Sequence, residues 1–317
     1  MDIISDKRFM IMINYSVIIP HYKDMANIKR LLNSIPDRAD IQVIVVDDNT
    51  YSDQTLFFDE IKEGVSSFKK ASTQVLFNSK GNSAGACRNV GIDHATGQWL
   101  LFADSDDVFL DDAFDVMDQY LEDSYDIVFF TPKTVVYDDS DGTYKHLLCE
   151  KYISEYLDGH KEYELNLRYK HYFPWSKMIR RQLQVDHDIR FDETRYSNDV
   201  MFSVKSGYYA KKIIASRQMV YRYSLNRPKS LTSIQSMEAF AIRFEVFVNK
   251  CLFLKYRMTK QEERKVNGTT GWWLVRAVRS RYGNNMVRLI LTEYKRNHLR
   301  IRFSLSDVLD REFGRYI

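Results

Sequence analysis

Gln98-Trp99-Leu100-Leu101-Phe102-Ala103-Asp104-Ser105-Asp106-Asp107 is the stretch that decides how this chain is read. A short apolar run ends abruptly in a cluster of carboxylates. Such a run predicts a buried strand over 98–103, stopped at Asp104. Upstream the same design repeats. Tyr15–Ile19 is β-branched and bounded by Pro20, and Ile41–Val46 runs into Asp47-Asp48-Asn49. Residues 73–78 give a further strand. Between these strands, Met25, Ile28, Leu31, Leu32 and Ile35 recur at helical spacing over 24–35. Helices are also predicted over 53–70, 86–95 and 110–122, with a flexible loop from Gly81 to Gly85 and a strand over 125–131. Strand–helix alternation of this kind implies an α/β fold with a mainly parallel sheet flanked by helices.

Beyond residue 132 the pattern loosens. Tyr137–Lys145 reads as a polar loop or hairpin, 174–184 and 199–210 as helices, and 212–223 as a strand pair or edge strand. From about residue 234 the chain reads as helical and rich in Arg and Lys. The expected division is a leader over 1–14, a main domain over 15–232 and a helical C-terminal extension over 233–317. The main domain splits into halves at 131/132.

Composition narrows the function classes. The 317 residues are 44% hydrophobic with a net charge of +3, so nothing in the total demands nucleic acid. Cys87, Cys149 and Cys251 are far apart, with neither metal spacing nor a disulfide framework, which fits a reducing cytosol. The first residues lack a secretory signal, and no apolar run is long enough to span a bilayer. The expected location is cytoplasmic, with peripheral attachment at the inner membrane face as an option.

In an open parallel sheet, ligands bind beyond the carboxyl ends of the strands. Three strands here end in polar clusters: Pro20-His21-Tyr22-Lys23-Asp24, Asp47-Asp48-Asn49 and Asp104-Ser105-Asp106-Asp107. Asp104 and Asp106, two apart at a strand end, can aim oxygens at one hard cation such as Mg²⁺ or Mn²⁺. Asp107 reads as the cap of the helix that follows.

Four segments together resemble the family 2 glycosyltransferases, the inverting group with the GT-A fold. They are Val17-Ile18-Ile19-Pro20-His21-Tyr22, Val45-Val46-Asp47-Asp48-Asn49-Thr50, Gly85-Ala86-Cys87-Arg88-Asn89-Val90-Gly91 and Leu101–Asp107. The resemblance covers roughly residues 15–232. It implies that Asp106 binds the metal bridging the diphosphate of a nucleotide-sugar, with UDP as the expected nucleotide, and that Asp104 contacts the donor ribose or metal waters. Pro20, Tyr22 and Asp48 would hold the base, with Asp48 reading the uracil imide, and Arg88 would lie near base or diphosphate. The first half would then be the donor side and the second the acceptor side.

Inverting transfer needs a base on the face opposite the leaving group. The family usually places Glu-Asp ahead of an aromatic; here the pair is Asn198-Asp199, with Phe202 following, so the base role falls on Asp199. Its structural alternative is the N-cap of helix 200–210. Asp192 and Glu193 are weaker candidates. Pro174-Trp175-Ser176-Lys177 resembles the W-x-K segment before the base helix: Trp175 lines the acceptor pocket or the core, and Lys177 is a phosphate contact or a solvated charge. Arg222 and Ser230 resemble parts of a strand and loop that close over the diphosphate. The acceptor would be a hydroxyl of a saccharide or lipid-linked saccharide, in surface polysaccharide or glycoconjugate synthesis.

Other readings compete. Asp104-Ser105-Asp106-Asp107-Val108 also fits the nucleophile strand of haloacid-dehalogenase-like phosphatases, with Asp104 as nucleophile and Asp106 as general acid. A non-catalytic nucleotide-sugar-binding protein is suggested by Asn198 in place of an acid. In the extension, Trp272-Trp273 with Arg276, Arg279, Arg281, Lys295, Arg296, Arg300 and Arg302 reads as a solvated helix face, an anionic-membrane contact or an oligomer contact.

Overall fold

Along the first strand, neighbouring side chains enter two different cores, because successive residues of a strand face opposite sides of the sheet. The computed structural model describes residues 12–49, 59, 61, 72–79, 83–136, 144–159, 163–225, 234–268 and 270–303. The chain begins with β1 (Tyr15–His21), α1 (Met25–Asn33), β2 (Ile41–Asp47), β3 (Ser72–Phe77), α2 (Ala84–His94) and β4 (Trp99–Phe102). Val17, Ile19, Val43, Val45 and Leu101 enter one core, which α1 covers with Ile28, Leu31 and Leu32. Ile18, Ile44, Val46, Leu100 and Phe102 enter the other, against Cys87 and Ile92 of α2. Burial on both faces explains the unbroken apolar runs in the sequence.

β3, β2, β1 and β4 are parallel neighbours in that order. Their polar ends therefore open onto one edge, as expected. β5 (Val108–Phe109), α3 (Ala113–Asp118) and β6 (Ile127–Val136) follow, then α4 (Tyr144–Leu157) and α5 (Glu164–Lys170). Neither α4 nor α5 was expected. The anticipated loop over 137–145 lies outside the described residues up to 143, and a helix starts at Tyr144. The anticipated helix over 53–70 also lies outside them, apart from residues 59 and 61.

The expected helix over 174–184 is corrected. Its first part is strand β7 (Lys177–Arg180), and only α6 (Arg181–Asp186) is helical. β7 runs antiparallel between β4 and β6, with Ile179 beside Leu100 and Met178 beside Val128. So short an apolar run has no period long enough to separate strand from helix; the vacant place between two strands decides it. α7 (Val200–Tyr209) matches the expected helix over 199–210, and β8 (Ile213–Leu225) is one long strand rather than a pair. It lies parallel to β6 and antiparallel to β5, completing the eight-stranded order β3-β2-β1-β4-β7-β6-β8-β5.

The C-terminal part is helical: α8 (Met237–Lys255), α9 (Lys260–Asn267), α10 (Trp272–Arg279) and α11 (Gly283–Arg296). It is not merely appended. Val246, Leu254 and Val266 share a core with Tyr169, Val200, Met201 and Val204 of α5 and α7. A second core is built by Phe240, Phe244, Trp273, Ile290 and Tyr294 within the extension.

Candidate active site

The site is the turn between β4 and β5. Asp104, Asp106 and Asp107 place carboxylate oxygens within 4.8 Å of one another. The turn is closed by the Asp107 N–H donating to the Asp104 carbonyl at 3.0 Å. β8 holds it from behind. The Asp104 N–H donates to the Tyr221 hydroxyl at 2.9 Å, and that hydroxyl donates to Asp107 Oδ2 at 2.9 Å. The Ser224 N–H donates to Asp107 Oδ1 at 2.9 Å, and its hydroxyl to the Asp106 carbonyl at 3.2 Å. Arg30 of α1 donates to the same carbonyl.

The expectation for Asp107 is therefore wrong. It does not cap the next helix, whose N-cap is Asp112, without a side-chain cap bond. Asp107 is fully buried. Burial, then Asp106 and Asp104, push its carboxyl well above the usual carboxylate range. Three crowded oxygen donors of this kind suit a hard divalent cation, whose charge would relieve their repulsion.

Arg88 of α2 spans the gap between the acidic turn and the 191–199 segment. Its guanidinium donates to Asp104 Oδ1 at 2.6 Å and to Asn198 Oδ1 at 2.9 Å. It lies over the Phe191 ring at 5.2 Å. The 191–199 segment is clamped onto α2. Asn89 Nδ2 donates to the Phe191 carbonyl at 3.0 Å, and its Oδ1 accepts from the Phe191 N–H at 2.9 Å. A Cβ on Gly85 would run into the Asp192 carbonyl oxygen, so only glycine permits this contact. Asn198 Nδ2 donates to the Thr194 carbonyl at 3.2 Å. The residue standing where the family usually has an acid is thus an amide that uses both its acceptor and its donor. Asp199 follows at the N-cap of α7, yet its side chain makes no cap hydrogen bond. Asp199 thus holds the N-cap position of the capping alternative, without a side-chain cap bond.

The residues expected to hold the nucleotide lie at the ends of β1 and β2, next to β3. The Asp24 N–H donates to His21 Nε2 at 3.2 Å, which leaves Nδ1 to donate to Asp47 Oδ1 at 2.8 Å. Asn78 Nδ2 donates to Asp48 Oδ1 at 2.9 Å. Burial pushes the Asp48 carboxyl up, against the lowering effect of Asn78. Pro20 is buried in β1, and Tyr22 presents an exposed ring beside Lys23.

Lys177 begins β7, which runs antiparallel to β4, so it lies toward the carboxyl end of β4; it is buried and donates to the His171 carbonyl at 3.0 Å, so its charge is not solvated. Burial pulls its amine down to about 7. Trp175 is buried and stacks between Phe173 and Tyr223, at 4.8 and 4.7 Å. Arg222 is exposed on β8, while Tyr221 beside it points inward. Ser230 lies outside the described residues. Tyr221, Ser224, Arg30 and Asn78 were missed. Asn78 had a signal, as a polar residue at the end of the β3 run. Tyr221 had only its period-2 offset from Arg222.

Residues 16–187 match the family described as Glycosyl transferase family 2. The chain belongs to that family. A putative glycosyltransferase, EpsH of Bacillus subtilis, is 24% identical over 79% of this chain and 72% of its own length. The poly(ribitol-phosphate) beta-N-acetylglucosaminyltransferase TarS of Staphylococcus aureus is 30% identical over 68% of this chain but only 36% of its own length. A crystal structure of S. aureus TarS with UDP-GlcNAc superposes with a TM-score of 0.61 at 20% identity, covering 95% of this chain and 76% of that one. A Pyrobaculum calidifontis mannosyltransferase with GDP-Man and Mn²⁺ gives 0.53 at 11% identity, covering 93% and 77%. The fold is thus the GT-A type, with helices added at the C-terminus. Family 2 membership makes the chain a glycosyltransferase using a nucleotide-sugar, and the phosphatase reading of Asp104 and Asp106 falls away.

Tyr221 offers a test of the scaffold within this family 2 site. Tyr221→Phe removes a buried hydroxyl and leaves the Asp104 N–H and Asp107 Oδ2 short of a partner. The expected loss is about 1–3 kcal/mol of stability. Urea unfolding measures it, and an unchanged midpoint would remove Tyr221 from the account.

Proposed function

We propose that the chain transfers a sugar from a UDP-linked donor to an acceptor hydroxyl, with inversion at the anomeric carbon. The observation that carries the reading is Arg88 bridging Asp104 and Asn198, which sets the residue beside Asp199 against the acidic turn. Asp48 and the Tyr22 ring hold the base. Asp106 and Asp104 would hold a divalent cation, Mn²⁺ or Mg²⁺, which as a Lewis acid offsets the charge of the departing diphosphate. Arg88 adds a fixed positive charge to the same end of the donor. Asp199 takes the proton from the attacking hydroxyl.

The acceptor is a hydroxyl of a saccharide or lipid-linked saccharide, and the setting is surface polysaccharide or glycoconjugate assembly in the cytoplasm, at the membrane inner face. Relatives whose names state transfer to poly(ribitol-phosphate) support that class of acceptor. Thermal stabilisation by nucleotide-sugars, with Mn²⁺ and with EDTA, tests the donor half. A UDP-sugar that stabilises only with metal supports it; no metal-dependent shift with any UDP-sugar sinks it. Binding without turnover when acceptors are supplied would instead mark a non-catalytic binder.

Asn198 gives a separate expectation. Asn198→Ala frees one arm of Arg88, and donor affinity should fall by about tenfold, the equivalent of one lost charge-assisted hydrogen bond, while transfer persists. Titration calorimetry with the UDP-sugar reads it. Unchanged affinity would mean that Asn198 does not position Arg88 for the donor.

A further inference from the structure

Residues 270–303 carry eight Arg or Lys and one Glu, a net +7 in a chain whose total is +3. The positive charge of the protein is thus concentrated in α10, α11 and the segment after them, and the remainder is net acidic. The two helices have distinct sides. Inward, Met286, Ile290 and Tyr294 pack with Trp272, Trp273 and Ala277. The two tryptophans that drew notice in the sequence are therefore core. Outward, Val278, Leu289 and Leu291 are exposed at 65%, 43% and 44%. Arg288 and Lys295 are exposed on α11, two helical turns apart and so on one side of it, with Leu291 between them; Leu289 lies on the opposite flank of the buried stripe. The one acid of this segment, Glu293, is taken up by Arg296 at 3.6 Å. Beyond α11, Arg300 and Ile301 repeat the pairing of an exposed cation with an exposed aliphatic residue.

We propose that this outward side docks on a membrane surface carrying anionic headgroups, with the cations among the headgroups and Val278 and Leu291 at the acyl boundary. Charge complementarity selects this occupant. A two-fold contact with a second copy would set the basic patch against itself. A nucleic acid would engage the cations and leave the aliphatic side chains unused. A lipid surface engages both. The placement also suits the site. Arg276 and the Tyr282 hydroxyl bond to Gln235, just ahead of α8, and Arg243 of α8 lies over Tyr196 at 5.0 Å, in the segment that leads to Asp199. A docked extension thus holds the acceptor-side loop near the bilayer. The inference deepens the lipid-linked-acceptor part of the reading above, but its test needs no sugar transfer.

The test is cosedimentation of the full chain with phosphatidylcholine vesicles, with and without phosphatidylglycerol. The chain should bind the phosphatidylglycerol vesicles at low salt and be released by high salt. Arg288→Gln with Lys295→Gln should weaken binding roughly 30-fold, at about fivefold per charge lost. Leu291→Ser should weaken it without changing the salt dependence, whereas Leu289→Ser, on the other flank, should not. Equal binding to both vesicles, no binding, or full binding by the Arg288/Lys295 variant overturns the proposal. So does a concentration-dependent dimer abolished by that variant, or retention of an oligonucleotide without vesicle binding. UDP-GlcNAc titration of the same protein reports separately on the donor reading, so the two can fail independently.

Discussion

Asp199→Asn is expected to lower sugar transfer by about 10²–10⁴-fold while leaving donor binding unchanged, the range set by loss of a positioned general base. The side chain stands at the start of α7 without capping it, and the preceding residue is tied through Arg88 to the acidic turn. The amide keeps the shape and removes the proton acceptor, so folding should be unaffected. Product formation and calorimetric titration of the UDP-sugar measure the two quantities on one preparation. Transfer at near wild-type rate would take the base role away from Asp199, and Asp192 would be tested next. Burial has raised the carboxyl of Asp192 above the usual range.

Asp106→Ala should have the opposite signature, with donor binding itself lost. The three carboxylates lie within 4.8 Å of one another, and removing one breaks the oxygen set that a divalent cation needs. The wild-type protein should show a thermal shift with UDP-sugar and Mn²⁺ that EDTA abolishes; the variant should show none. Transfer should drop at least about 10³-fold, since an uncompensated diphosphate is a poor leaving group. Because Asp106 is half-exposed and its carbonyl supplies the Arg30 and Ser224 contacts, the variant should still fold. A variant that keeps the metal-dependent shift would move the cation elsewhere.

The parallel half of the molecule was legible because β1, β2 and β4 are buried on both faces. Val17-Ile18-Ile19 and Val43–Val46 are apolar throughout, and each run gives way to polar residues. The same argument put Asp104, Asp106 and Asp48 on one edge. The second half was less legible. β7 is a strand of four residues, Lys177–Arg180, too short for its period to show. For Lys177 the sequence allows a phosphate contact or a solvated charge; its burial excludes the solvated charge, with the ammonium turned to the His171 carbonyl. Trp175, left open between pocket and core, lies in an aromatic stack.

By itself, the sequence determined the fold class, the family and the acidic turn, because these depend on local runs of apolar residues and on what interrupts them. Tertiary structure alone decided what each carboxylate of Asp104–Asp107 does. Asp107 is drawn inward by Tyr221 and Ser224, more than a hundred residues away, and Asp104 is held by Arg88, while Asp106 keeps a half-exposed side chain. It also decided that Asn198 serves Arg88, and that Trp272 and Trp273 face inward while Arg288 and Lys295 face outward. Those outcomes rest on hydrogen bonds and packing between distant segments, which local pattern does not encode.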